Sequence, residues 1–381
     1  MSAMASGLLP RVVDAVERVT ARAADADELL EGVATEIGKA VPYDGAMWFG
    51  LDPTTLLAVS PARMEHLDGG YCNTFWFGEF HEHDANLFAD LARADGAAAT
   101  LRSATSDRPM RSARYRDFLQ PQGYDDELRV VFRTAGKSWG VGGLFREAGR
   151  APFDAADIAL LEAVSPVVAA ALRTHAALTS PTPGFTHAPG LMLFSRDGAI
   201  ISANDAASRW LAEIYGHDPG TNWFEILAGL QSPDVDAAIP IIPLIARAHA
   251  VASGRDAREA RLRLRDRSGR WLVLHASVLD SPSGDGDVAI VVEPAKSGDL
   301  APIIIEAYGL TPRERDVVRA IARGSSTPDI AAELFLSAHT VRDYIKAVFD
   351  KVGVSSRGEL VAKLFADHYV DPFHETLVEV H

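Results

Sequence analysis

Between Leu336 and Val354 the chain reads LSAHTVRDYIKAVFDKVGV. Val341, Ile345, Val348, Phe349 and Val352 recur at helical spacing, so they share one apolar side. His339, Asp343, Lys346, Ala347 and Asp350 fall on the opposite side, with Arg342 on its flank. This outward face suits hydrogen bonding to base edges in a major groove. A long cation reaches guanine acceptors or phosphate, a carboxylate accepts from cytosine, and small residues permit close approach.

Other chemistry-bearing residues are less organised. FHEHD, from Phe80 to Asp84, sets His81 and His83 in a chain that also offers His66 and Cys72. Histidines at i and i+2 face different sides of a helix, and no complete ligand set is spaced for a metal or haem. These histidines are therefore read as surface or pocket-lining residues, and no metal or cofactor is expected. Trp48, Trp76, Phe77 and Phe80 fit a ligand pocket or a core equally well, since both use the same residues; with His81, Trp48, Trp76 and Phe80 form the candidate ligand set. The GVGG run at Gly140–Gly143 lacks the Lys-Ser/Thr of a phosphate loop, and GxSxG and HExxH are absent. No enzyme is expected.

The elements that must hold the outward helix are written in local signals. Thr311 is expected to cap a first helix, with Pro312 next and Glu314 completing a capping box; Gly324 ends it. Thr327 is expected to cap the second helix, Ser337 the third, and Gly353 to stop the third. Ser356 and Glu359 are expected to box a fourth, burying Leu360, Val361 and Leu364. Residues 308–365 carry nine Lys and Arg against seven Asp and Glu, in a chain whose net charge is −15. Nucleic-acid affinity must therefore be local, and the acidic remainder reads as a solubilising surface.

The ordered segments LTPRER, IARG, IAAELFLSAHTV and KVGVSSRGELVAKL resemble the C-terminal DNA-binding domain of LuxR-type regulators. The resemblance implies a four-helix, all-α domain over 306–370, with the helix-turn-helix at Thr327–Lys346. It implies base reading by Arg342, Asp343 and Lys346, and phosphate contacts at or beside Thr340, Lys351 and Arg357. Thr327, Ser337, His339 and Val341 complete the expected DNA-binding set. Asp343 is acidic where many relatives are neutral, and Tyr344 replaces a frequent histidine.

Upstream, Pro/Gly/Ser-rich stretches at Thr179–Gly184 and Pro294–Pro302 read as linkers. The first block has helical spacing through Val16 and Ile37, strand-like GAMWFGL and TLLAVS, a loose middle, and a hairpin turning near Gly136. A final helix is capped by Asp154, its face made of Ile158, Leu161, Val164, Val168 and Leu172. This order, over 8–178, resembles a GAF domain, an α+β fold that holds a small ligand or mediates dimers. In the second block GLMLFSRDGAIISANDAASRWL gives strand, turn, strand and an Asn204-capped helix, and three alternating strands close it. That pattern, over 185–296, resembles an α+β PAS domain, although Pro240 and Pro243 interrupt its middle.

The chain has 381 residues and one cysteine, which excludes a disulfide framework and fits a reducing cytoplasm. No signal peptide and no membrane-length apolar run are expected, and no receiver-type acidic pair, strand-end Asp and late Lys are seen. The sequence thus reads as a multidomain transcriptional regulator. Its expected partners are double-stranded DNA, a small-molecule signal, RNA polymerase and a second copy. The homodimer is expected through the Ile158–Leu172 face or through Leu360, Val361 and Leu364. Control by a protein partner, or a haem or redox sensor in the first block, stay open as alternatives.

Overall fold

The structure is a computed structural model that describes residues 2–177, 188–215, 241–280, 286–296, 299–300, 303, 306–361 and 363. One compact unit carries both sheets and ends at Pro294; a second carries the helices that follow.

The first region opens with α1 (Ser2–Arg22) and α2 (Ala26–Ala40), the latter capped by Asp25, whose carboxylate accepts from the Glu28 N–H at 2.8 Å. Then come β1 (Gly45–Leu51), β2 (Ala58–Glu65), α3 (Cys72–His81), α4 (Phe88–Leu91), β3 (Ala98–Thr100), α5 (Leu101–Thr105), β4 (Tyr124–Thr134), β5 (Lys137–Glu147) and α6 (Ala155–Ala177). The strands form an antiparallel sheet in the order β2-β1-β5-β4-β3. Ala135 and Gly136 turn the β4–β5 hairpin with φ of 51° and 75°, the left-handed pair that suits the twist of tight hairpins.

Two expectations shift here. TLLAVS was placed as a strand from Thr55, but pairing starts at Ala58. Asp52 accepts from the Thr54 N–H at 2.9 Å and ties the preceding residues into a turn. The middle, read as loose, holds three short α-helices, several 3-10 and π-helical turns and an edge strand.

Asp154 caps α6 as expected, accepting from the N–H groups of Ala156 (2.7 Å) and Asp157 (3.1 Å). The dimer role assigned to this helix is corrected by its burial. Leu161, Val164, Val168 and Leu172 are buried in their own unit. Gly140 on β5 leaves the space: a Cβ there would lie 2.7 Å from Leu172 Cδ1. Ile158 alone is half-buried. By length and composition α6 could also cross a membrane, contrary to the expected absence of such a run, but this apolar stripe is spent on the sheet.

The second region comprises β6 (Gly190–Phe194), β7 (Ile200–Ala203), α7 (Asp205–Tyr215), α8 (Ile241–Ala252), β8 (Arg261–Arg265), β9 (Trp271–Val278) and β10 (Val288–Pro294). Its antiparallel sheet runs β7-β6-β10-β9-β8. Asn204 caps α7 through the Ala207 N–H (2.8 Å) and also receives the Leu191 N–H (3.0 Å), pinning helix to strand. Ala207, Trp210 and Leu211 face inward and are buried. Pro243 does not break α8. It sits in the first turn, where backbone N–H groups have no intrahelical acceptor. Pro240, Leu364 and both proposed linkers' central residues lie outside the described residues.

Candidate nucleic-acid interface

The second unit contains α9 (Pro312–Ala322), α10 (Thr327–Leu334), α11 (Ala338–Val352) and α12 (Arg357–Val361). Thr311 and Glu314 form the expected capping box, with Thr311 N–H donating to Glu314 Oε2 at 2.7 Å. The cap of α10 is corrected: it is Ser326, boxed with Asp329, while Thr327 is the first helical residue. Serine and threonine both cap helices, serine somewhat better, so adjacent Ser326 and Thr327 both offered a cap and the choice fell one position late. Ser337 caps α11 through the Thr340 N–H (3.0 Å), and Gly353 ends it at φ 69°. At α12 only half of the expected box forms. Ser356 accepts from the Glu359 N–H at 3.1 Å, but the Glu359 carboxylate turns to the Ser355 N–H at 2.7 Å.

The helices share one core that includes Leu310, Val317, Ile321, Ile330, Val348 and Leu360. Its closure fixes which side of α11 is outward. His339, Arg342, Asp343, Lys346 and Asp350 are exposed, and Ala347 is half-buried. Val341, expected among the DNA-contacting residues, is fully buried. It seats α11 on the core and cannot touch a base.

Most cations in this unit are already engaged. Arg319 pairs with Asp316 at 2.8 Å, Arg323 with Glu333 at 2.5 Å and Arg315 with Glu306 at 2.6 Å. Lys351 pairs with Glu314 at 2.6 Å, joining the end of α11 to the start of α9. Burial alone would push the Glu314 carboxyl up, but hydrogen bonds from Lys351 and Thr311 hold it below the usual range. Arg357 donates to Ser325 O (2.7 Å) and Thr327 Oγ1 (2.8 Å), so these two expected residues brace α12 on α10. Among the described residues the Arg342 and Lys346 side chains make no ion pair or hydrogen bond. They leave two unspent cations on one exposed helical face.

The four candidate ligand residues do not form one site. Trp48 is fully buried and stacks on Phe132 at 6.2 Å; a Cβ at Gly142 would come within 2.7 Å of its ring. The next residue, Phe49, points to the other face of the sheet and meets Trp76 at 5.5 Å. Phe80 and His81 face α8 of the second region. The Arg247 guanidinium lies 4.3 Å from the Phe80 ring, and His81 Nε2 lies 3.0 Å from Ala246 O. Arg247 also donates to Thr55 O at 3.1 Å, and Arg263 pairs with Asp52 at 2.8 Å, so the second region grips the β1–β2 turn. Sequence reading missed Arg247, although a single arginine inside the apolar helix IIPLIARAHA is itself a signal of a buried partner. Among the described residues no group of His, Cys, Asp and Glu could hold a metal ion.

Residues 309–364 match the family described as bacterial regulatory proteins, luxR family. The spore germination protein GerE of Bacillus subtilis (strain 168) is 42% identical over 55 residues, 14% of this chain and 74% of that protein. The probable transcriptional regulatory protein NarL of Mycobacterium tuberculosis (strain ATCC 25618 / H37Rv) is 29% identical over 157 residues, 40% of this chain and 70% of that protein. A solved GAF domain from a phosphoenolpyruvate-protein phosphotransferase (ptsP) of Coxiella burnetii aligns with 43% of this chain and 92% of its own. At 14% identity and a TM-score of 0.31 that likeness carries no argument. Capped helices, a closed core and an outward cationic face coincide with the matched residues: the chain belongs to the luxR family of bacterial regulatory proteins.

Proposed function

We propose that the chain is a sequence-specific, DNA-binding transcriptional regulator whose sheet-bearing unit receives a signal. The observation that carries this reading is the outward face of α11, where Arg342 and Lys346 are exposed and unpaired while neighbouring cations are engaged. In a helix-turn-helix this second helix enters the major groove. Arg342, Asp343 and Lys346 would read base edges, with Thr340 and His339 beside phosphates. Ser337, Thr327, Lys351 and Arg357 would hold the helix in place, and Lys351 and Arg357 would reach phosphate only by leaving their present partners.

The reading extends to three domains, GAF-like at 8–178, PAS-like at 185–296 and helix-turn-helix at 306–370. The strand, turn, strand, capped helix and three closing strands of the second region support the PAS-like part. A small-molecule signal that binds one arrangement of the unit better than another would shift the population able to engage DNA. A cytoplasmic homodimer on paired half-sites, working with RNA polymerase, completes the proposal, because a surplus of two charges per subunit gives one domain little phosphate affinity.

The test is Lys346→Ala in the full chain, measured against a selected duplex at fixed salt. Loss of a bidentate base contact should weaken specific binding by about 1–3 kcal/mol. Unchanged affinity would remove α11 from the interface.

A further inference from the structure

Asp343 poses a physical problem on a face that approaches phosphates. A carboxylate there is repelled by the backbone unless a donor in the groove compensates. Its side chain is 68% exposed, and among the described residues the one basic group within ion-pairing distance is His339, with Nε2 3.9 Å from Asp343 Oδ2. That distance exceeds hydrogen-bond reach, so the carboxylate keeps its acceptor positions open. Lys346 lies three residues on and Ala347 four residues on, both beside Asp343 on the helix surface. Neither Lys346 nor Arg342 pairs with Asp343 in the structure.

The major groove presents two donors, cytosine N4 and adenine N6. Adenine sets the N7 acceptor beside its donor, where it opposes the second carboxylate oxygen. Cytosine has no acceptor on that edge. Guanine offers the O6 and N7 acceptors that a lysine or arginine takes. One acid flanked by two free cations therefore complements a step in which cytosine and guanine lie within one helical turn of each other.

We propose that Asp343 is a specificity-determining residue that selects cytosine, with Arg342 and Lys346 on adjoining guanine or phosphate, so that the preferred duplex carries a C/G step in each half-site. This rests on the DNA-binding reading above and adds the base it selects. The acid should contribute discrimination and little affinity, because its repulsion from phosphate acts on every sequence.

The experiment is selection from a randomised duplex pool with the full chain, its Asp343→Asn form and its Asp343→Ala form, followed by affinity measurements on the enriched sequences at fixed salt. The wild type should enrich cytosine at one position of each half-site. Asp343→Asn should lose that preference by roughly tenfold or more and move toward adenine, whose N6 and N7 pair with an amide. Asp343→Ala should lose it without gaining adenine. Both forms should bind a scrambled duplex at least as well as the wild type. Enrichment of the same base by all three proteins, or an equal loss of affinity on every duplex, would overturn the assignment. A wild type that enriches no sequence would instead bring down the DNA-binding reading beneath it.

Discussion

The two five-stranded sheets have the same order of strands, second-first-fifth-fourth-third, yet their buried faces differ in composition. The second sheet buries Met192, Phe194, Leu264, Leu274 and Ile290 on its own strands, all apolar groups. The first buries apolar groups as well, among them Val130, Phe132 and Leu144, and adds an ion network. Arg129 on β4 is fully buried, bound to Glu127 Oε1 and Glu79 Oε2 at 2.8 Å each, and its guanidinium stands 4.2 Å from the Phe88 ring. Arg114 reaches Glu127 at 2.8 Å from the other side. Burial works against the Glu127 charge, but Arg114 and Arg129 outweigh it and hold the carboxyl below its usual range.

The same topology thus does not dictate the same core. An aliphatic filling constrains volume, and neighbours can slide to recover contact. A buried charge constrains partners, since each must be met or stays stranded. The network therefore fixes how α3 and the residues near Asn86, whose carbonyl accepts from Arg129 at 2.9 Å, sit on the first sheet.

The largest expected effect breaks this difference open. Arg129→Leu should destabilise the sheet-bearing unit by about 3–5 kcal/mol, because buried Glu79 loses its cation and Glu127 keeps only Arg114. Leu274→Ala in the second sheet should cost about 2–5 kcal/mol by leaving a cavity. Denaturant unfolding at two pH values separates them. The Arg129→Leu loss should shrink as pH falls and Glu127, held low in the native protein partly by Arg129, protonates, whereas the cavity cost of Leu274→Ala should not.

A smaller effect concerns the grip between the regions. Arg247→Met keeps the apolar stem but removes the guanidinium from Phe80, from Thr55 O and from the Asp256 carboxylate, which lies 3.2 Å from Arg247 Nε. A lost charged hydrogen bond is worth about 1.5–3 kcal/mol. Amide exchange should therefore quicken at the β1–β2 turn and along α8 before it quickens in either sheet. Uniform acceleration through both sheets would show that Arg247 supports general stability and not the contact between regions.

The smallest effect is a response to acid. Burial lowers the pKa of His81 and His175 in the first region and of His249 and His275 in the second. A lowered histidine binds its proton more readily unfolded, so its contribution is intact above about pH 6.5 and fades as pH drops below that value. Burial pushes Asp126, in the first region, up to about 6. Its folded form takes the proton first, so between about pH 6 and 4 it opposes the histidines. Region-resolved amide exchange should show the second sheet softening more than the first across that interval.

What sequence made legible follows the range of each interaction. The capping box at Thr311, the stop at Gly353 and the turn at Gly136 are decided within four residues, and all stand in the structure. The outward side of α11 was legible because one helical period sets it. Val341 was misassigned because a motif position says nothing about depth. The Glu127–Arg129 pair was missed because alternating charges on a strand look like a solvent face; their partner Glu79 is fifty residues from Arg129. The α6 stripe showed its apolar character in sequence but not its partner, which is the chain's own sheet.

The internal pairing of cations in the helical unit has a kinetic meaning. Arg315, Arg319, Arg323 and Lys351 each sit beside a carboxylate, so their fields cancel within a few ångströms. Beyond a Debye length of about 8 Å a duplex meets little attraction, and the rest of the chain is acidic. Long-range steering should contribute little to encounter, which leaves association nearer the unsteered 10⁵–10⁶ M⁻¹s⁻¹, roughly, than the diffusion limit. Sequences would then be told apart almost wholly by how long the protein stays once Arg342 and Lys346 have docked.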